Sequence, residues 1–220
     1  MSGPLGSSQW MYATGAALEG QSLRFNDNDT AYLSWAPASA GNRKTWTWSG
    51  WVKRGNLPSS DVYLFGNSNG SNQGFHVRFD SGDTLTFLNY PSSASGQLTT
   101  SRLFRDISAW YHIVLVWDTT DATSGDRMRV YINGVRETDF GTSSYPSLNL
   151  DGTWNSTSYG DHAIGRNNYN GRYFDGYMAE VNFVDGLALD PTSFGETDAN
   201  GQWVPIKEPS VTYGTNGFYL

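Results

Sequence analysis

Residues 110–137, WYHIVLVWDTTDATSGDRMRVYINGVRE, constrain the fold more than any other stretch of this chain. Up to Asp118, large side chains alternate on two faces, with Tyr111, Ile113, Leu115 and Trp117 on one and Trp110, His112, Val114 and Val116 on the other. Strand side chains alternate with period two, so the segment predicts a strand covered on both faces, at the centre of stacked sheets. A second strand follows, with Met128, Val130 and Ile132 facing one way and Arg127, Arg129 and Tyr131 the other. Asn133-Gly134 then predicts a tight hairpin into Val135, because both residues tolerate the positive φ of a type I′ turn.

The rest of the chain repeats this grammar. Residues 22–25 and 31–35 read as short strands around the acidic turn Asn26-Asp27-Asn28-Asp29. In residues 45–53, Trp46, Trp48, Gly50 and Val52 form a core face, opposite a polar face of Thr47 and Ser49 with the single ring of Trp51. Residues 61–67, 74–80 and 84–90 continue as strands between Asn/Gly/Ser turn clusters. Residues 140–173 predict a long loop broken by one short strand near 163–165, and residues 175–184 return to strand. A single helical turn is expected at 191–194 and a last strand at Phe218. Evenly spaced strands without amphipathic helices predict an all-β fold, an antiparallel β-sandwich of the jelly-roll kind. With no internal repeat, residues 8–220 read as one domain, and residues 1–7, MSGPLGS, as vector-derived.

Charge and composition narrow the partners. A net charge of −7 and a pI near 4.8 repel phosphate backbones and argue against nucleic acid, while leaving room for a hard cation. The absence of cysteine excludes disulfides and thiolate chemistry. No apolar run approaches the ~20 residues that span a bilayer, so membrane insertion is not expected. Nine tryptophans and thirteen tyrosines exceed what one core needs, so some rings are expected at the surface.

Three stretches together carry a family resemblance: residues 22–53, the hairpin SAWYHIVLVWDTT…VYINGV, and the block YFDGYMAEVNFVDGLALDPTSFGETDANGQW…YGTNGFYL. They resemble the concanavalin A-like, laminin G-like jelly-roll domains of bacteriophage tail and other virion proteins. The resemblance implies two curved antiparallel sheets with rim loops able to hold glycans. By analogy with relatives that hold calcium where the first and last strands meet, it implies a site at Asp27 and Glu180, with Asp29 in reserve. It also implies a virion location, other virion proteins as partners, and a homotrimer in the full-length protein.

The same superfold carries glucanases, whose E-x-D-x-x-E strand motif sets acid and nucleophile facing one groove. Glu137-Thr138-Asp139 and Glu196-Thr197-Asp198 start that motif, but Thr142 and Gly201 follow where the second glutamate should be. A non-catalytic domain is therefore expected. His112 reads as a hydrogen-bonded core residue, and His76 as facing a concave groove.

Sugar recognition needs rings that stack on a pyranose, beside amides, carboxylates and arginines that pair with hydroxyls. Residues 166–173, RNNYNGRY, supply these densely, and Trp154 and Tyr159 come just before. The expected binding set is Trp154, Tyr159, His162, Arg166, Asn167, Asn168, Tyr169 and Tyr173. A second supply lies on strands, in Trp51, Tyr63, His76, Arg78 and Tyr90. The expected ligand is a bacterial surface polysaccharide, bound by a phage tail or fibre protein; the alternative is a virion decoration domain that contacts only protein, and an endoglycanase ranks third.

Overall fold

The structure, a computed structural model, describes residues 22–168, 171–207 and 209–220; residues 1–7 and Tyr169 lie outside them. In chain order the strands are β1 (Ser22–Phe25), β2 (Leu33–Trp35), β3 (Thr45–Arg54), β4 (Val62–Ser68), β5 (Gly74–Phe79), β6 (Thr84–Tyr90), β7 (Gln97–Leu103) and β8 (Tyr111–Asp118). They continue with β9 (Met128–Ile132), β10 (Val135–Arg136), β11 (Phe140–Ser144), β12 (His162–Ile164), β13 (Gly176–Asp185), β14 (Gly195–Thr197), β15 (Trp203–Pro205) and β16 (Phe218–Tyr219). Only short 3₁₀ turns interrupt them, one at Pro191–Ser193 where a helical turn is expected.

Two seven-stranded antiparallel sheets face each other. The first runs β1-β13-β3-β8-β9-β10, with β16 also paired to β13, and the second runs β11-β7-β6-β5-β4-β12-β2. Between them lie Trp46, Trp48 and Val52 of β3 and Ile113, Leu115 and Trp117 of β8. These pack against Phe65, Phe75, Val77, Phe79 and Phe87 from the second sheet. Trp48 stacks on Phe65 at 4.7 Å between ring centroids, and Gly50 leaves room for that indole, which a Cβ there would meet at 2.6 Å. Truncating such a ring typically costs about 3–5 kcal/mol, so the aromatic layer dominates the core.

β8 is buried on both faces, as its alternation predicts. Val114, Val116, Tyr131, Val184 and Phe194 form a smaller core on the far side, capped by Leu189, Val211 and Tyr213 of the C-terminal segment. The Asn133-Gly134 turn has φ values of 50° and 79°, as a type I′ turn requires. The polar face of β3 is also covered: the Thr47 hydroxyl donates to the Leu187 carbonyl and accepts from the Leu189 amide, both at 2.8 Å.

The expected loop over residues 140–173 is corrected, because β11 pairs with β7 at the edge of the second sheet. Neither β7, QLTTSRL, nor β11, FGTSS, shows a strong apolar alternation; an edge position asks for little burial, so the pattern is faint. The β14–β15 hairpin is likewise unannounced by periodicity.

Candidate functional site on the outer face of the second sheet

After β12 the chain turns at Gly165, whose φ is +85° and whose missing side chain admits Phe25. An antiparallel bridge between Arg166 and Tyr173 then closes a short finger. The finger is tied down onto the second sheet at two points. The Asn167 amide lies 3.1 Å from His76 Nδ1, and Arg172 lies 3.3 Å from Asp61. When Asn167 donates to Nδ1, the His76 proton sits on Nε2 and bonds the Asn72 carbonyl at 3.1 Å. Burial pushes the His76 pKa down to about 4, so this imidazole is neutral and structural.

Beside the finger the outward side chains of the sheet connect into a polar rail. Register sets Tyr63 opposite Arg78, Arg78 opposite Thr86, and Thr86 opposite Thr99, so all four share one face. Arg78 donates to Asp80 at 2.6 Å and lies 3.5 Å from Asp61. The other Asp80 oxygen accepts from Thr86 at 2.6 Å; Thr86 meets Thr99 at 2.7 Å, and Gln97 donates to Thr99 at 3.2 Å. Tyr90, half-buried, adds a ring along the same face, and Leu88 lies buried between it and the rail, because His76 pairs with Leu88 and Gly74 with Tyr90. Thr86 is fully buried and only braces the row; the half-buried Thr99 hydroxyl, Gln97 carboxamide and Asp61 and Asp80 carboxylates are the groups that can exchange hydrogen bonds with a polyhydroxylated ligand.

The expected binding residues divide sharply. Arg166, Asn168 and Tyr173 meet at the base of the finger: Arg166 donates through Nε to the Asn168 side chain at 2.8 Å and lies 3.6 Å over the Tyr32 ring, with Tyr173 6.1 Å from Tyr32. Tyr159 is half-buried in the preceding loop.

Trp154 is corrected: it is 0% exposed and fills the core, 5.2 Å from Phe65 and 4.2 Å from His162. Its loop dips between the sheets, so the ring serves as a plug and cannot stack on a ligand. His162 is buried too; its Nε2 accepts from the Asn155 amide at 2.9 Å, and burial lowers its pKa to about 3. Asn167 is spent on His76 and also leaves the exposed set. Of the strand residues, Tyr63, His76, Arg78 and Tyr90 share the face of the rail, though His76 and Tyr63 are covered. Trp51 belongs to the other sheet, stacked on His112 at 5.0 Å. Tyr32, Asp61, Asp80, Thr86, Thr99 and Gln97 escape sequence reasoning; the period-two polar pairs Thr84/Thr86 in TLTF and Gln97/Thr99 in QLTT are the one available signal.

Two further arrangements resolve. Ser49 and His112 are 2.9 Å apart, but Trp203 donates to His112 Nδ1 at 2.8 Å, so Nε2 carries the proton and donates to the serine. Both are fully buried, and this pair cannot activate a nucleophile. The Asp27–Glu180 pairing is also corrected. Phe25 pairs with Gly176 and Ser22 with Ala179, so Asp27 follows one end of the β1–β13 ladder and Glu180 lies beyond the other, separated by about 13 Å of strand. Glu180 instead accepts from the Tyr219 hydroxyl at 2.6 Å. Among the described residues no group of three or more His, Cys, Asp or Glu side chains is gathered for a metal ion.

Two opposed antiparallel sheets with a polar outer face and a loop finger define a lectin-like β-sandwich. The chain belongs to the concanavalin A-like lectin/glucanases superfamily, whose sequence profile matches residues 26–192. Its fold is similar to part of the NanB sialidase from Streptococcus pneumoniae (K499G mutant), with a TM-score of 0.54 at 16% identity. That match covers 80% of this chain and 28% of the sialidase. Two further similar structures are the native heptameric SAP-like pentraxin from Limulus polyphemus (TM-score 0.49, 20% identity, 72% of this chain and 70% of that one) and domains LG4-5 of the mouse laminin alpha1 chain (0.48, 11%, 75% and 40%). None of the curated proteins compared with the chain is similar to it in sequence.

Proposed function

We propose that this domain is a non-catalytic carbohydrate-recognition module that holds a glycan along the outer face of the second sheet, beside the 166–173 finger. The observation that carries this reading is the rail from Arg172 through Asp61, Arg78, Asp80 and Thr86 to Thr99 and Gln97. Its polar groups are preorganised by one another, so little ordering entropy opposes binding. A row of half-buried polar groups suits weak single-site binding that gains strength by multivalency.

Against a hydrolytic role, Glu137 is held by Arg102 at 2.7 Å and Asp139 by Ser101 at 2.8 Å. Asp198 caps its own turn through the Asn200 and Gln202 amides. The finer assignment, a phage tail or fibre domain reading bacterial surface polysaccharide, is supported by the resemblance of residues 173–220 to virion domains.

Titration of an oligomeric form against bacterial polysaccharides is expected to show saturable binding. Gln97→Ala together with Thr99→Val should weaken it about tenfold or more without moving the melting temperature. Binding is expected to survive chelator, because the rail is held by hydrogen bonds and ion pairs among its own side chains. Absence of binding across the panel would remove this reading, and release of reducing ends from a bound polysaccharide would replace it with a glycanase.

A second reading has its own observation, on the opposite side of the molecule. Trp110 is 37% exposed, its ring is 6.5 Å from Tyr177, and Arg24 covers Tyr177 at 5.0 Å. Aromatic and arginine side chains of this kind anchor protein interfaces. If the domain decorates a virion, Trp110→Ala should impair its incorporation into particles while leaving glycan titrations unchanged. Normal incorporation of that variant would count against docking through this face.

A further inference from the structure

Among the described residues Arg166 and Arg129 are the arginines with neither a carboxylate nor a backbone carbonyl as partner; the Arg129 Nε is buried, whereas Arg166 is half-buried over an aromatic ring. Seven other arginines, Arg24, Arg54, Arg78, Arg102, Arg105, Arg136 and Arg172, lie within ion-pair distance of a carboxylate. Arg43 and Arg127 donate to backbone carbonyls. Arg166 makes one hydrogen bond among the described residues, from Nε to the Asn168 side chain at 2.8 Å. Its guanidinium lies over the Tyr32 ring with Cζ 3.6 Å from the centroid, so the plane is fixed while the two terminal nitrogens keep their donors.

A flat, oriented guanidinium with a free edge matches one ligand geometry above others, the two coplanar oxygens of a carboxylate. Tyr32, 39% exposed, and Tyr173 lie alongside, where the apolar face of a sugar ring can rest. The net charge of −7 works against polyanions at long range, so selection of an acid here is a contact effect and not a diffuse attraction.

We infer that Arg166, stacked on Tyr32 and steered by Asn168, is the receptor for the carboxylate of an acidic sugar, so that the glycan class is one carrying a uronic or related carboxylic acid. This rests on the carbohydrate reading above and names the class of ligand within it.

The test uses a panel of uronic-acid oligosaccharides, each beside its carboxyl-reduced counterpart, titrated against the oligomeric domain. The acidic members are expected to bind about ten- to a hundredfold tighter than their reduced counterparts. Arg166→Gln should abolish that preference, and Arg166→Lys, which keeps the charge but loses the fork, should lose most of it. Both variants should retain the residual binding of the reduced sugars, which shows that they are folded. Equal binding of acidic and reduced forms, or an Arg166→Gln variant that keeps the preference, overturns the role of Arg166 and leaves the carbohydrate reading standing. No binding of either form overturns both.

Discussion

Acidification to about pH 5 is expected to destabilise this domain by several kcal/mol, at a pH where most carboxylates are still ionised. All three histidines are buried, and burial lowers their pKa values to about 4 for His76 and about 3 for His112 and His162. Among the described residues none is paired with a carboxylate that would favour the charged form. His112 lies between Trp51 and Trp203, His162 touches Trp154 and Trp35, and the charged neighbour of His76 is Arg78, which lowers it further.

The unfolded chain takes up protons below about pH 6.5, where the native imidazoles remain neutral. Stability is therefore full above that pH and is lost as pH falls towards the depressed native values, at up to about 1.4 kcal/mol per pH unit for each histidine. Three acting together remove roughly 6 kcal/mol by pH 5, comparable with the whole stability of an ordinary domain. Urea titrations from pH 7.5 to 4.5, followed by tryptophan emission, are the direct measurement. A midpoint that stays level across that interval would show that the imidazoles gain partners on protonation.

The second large effect comes from a buried ion pair. Arg54 has a side chain only 1% exposed, yet it carries a full charge beneath Phe79, whose ring centroid is 4.7 Å from Cζ. It is held by Asp83 at 3.0 Å and by the Phe104 carbonyl at 2.7 Å, while Arg105 binds the other Asp83 oxygen at 3.0 Å. Asp83→Asn keeps a residue that tolerates the local φ of +68° but strips the counter-charge. It is expected to cost about 3–5 kcal/mol, because an uncompensated charge is left in an apolar surround. Adding Arg54→Met should restore much of that loss, since replacing a buried pair by apolar groups is often near neutral. Equilibrium denaturation of the single and double variants tests this, and a double variant less stable than Asp83→Asn alone would refute it.

Periodicity made the architecture legible where strands carry large residues. The alternation of residues 110–118 announced a strand covered twice, and Asn133-Gly134 fixed the hairpin; both follow from backbone geometry that a sequence displays locally. Polar faces were less transparent. Thr47 and Ser49 look like solvent residues, but Leu187 and Leu189 of the C-terminal segment satisfy the Thr47 hydroxyl, and His112 of β8, itself bonded by Trp203, satisfies that of Ser49. Nothing near them in sequence signals that cover.

At the candidate site, Arg166, Asn168 and Tyr173 stand out in the sequence by residue type and density, and the fold brings them together beside Tyr32. Trp154 and His162 were drawn in by the same criterion, though both fill the core. An aromatic in an irregular segment carries no periodicity to say which way it points. The rail was invisible for a related reason: Asp61, Asp80, Thr86 and Thr99 become one feature only through sheet register.

The strand order of the first sheet also governs how the chain comes to be folded. β13 lies between β1 and β3, so Val52 must wait for Met178, and Leu23 for the same residue, before either strand has its neighbour. During synthesis the tryptophan-rich β3 can pair with β8 but keeps one edge open until most of the chain has emerged. Long-range pairings of this kind slow folding towards the millisecond-to-second range and leave unpaired strand edges exposed meanwhile. The arrangement that encloses the aromatic core so completely at the end thus makes its assembly late and nearly all-or-none, with the nascent chain most open to aggregation just before β13 arrives.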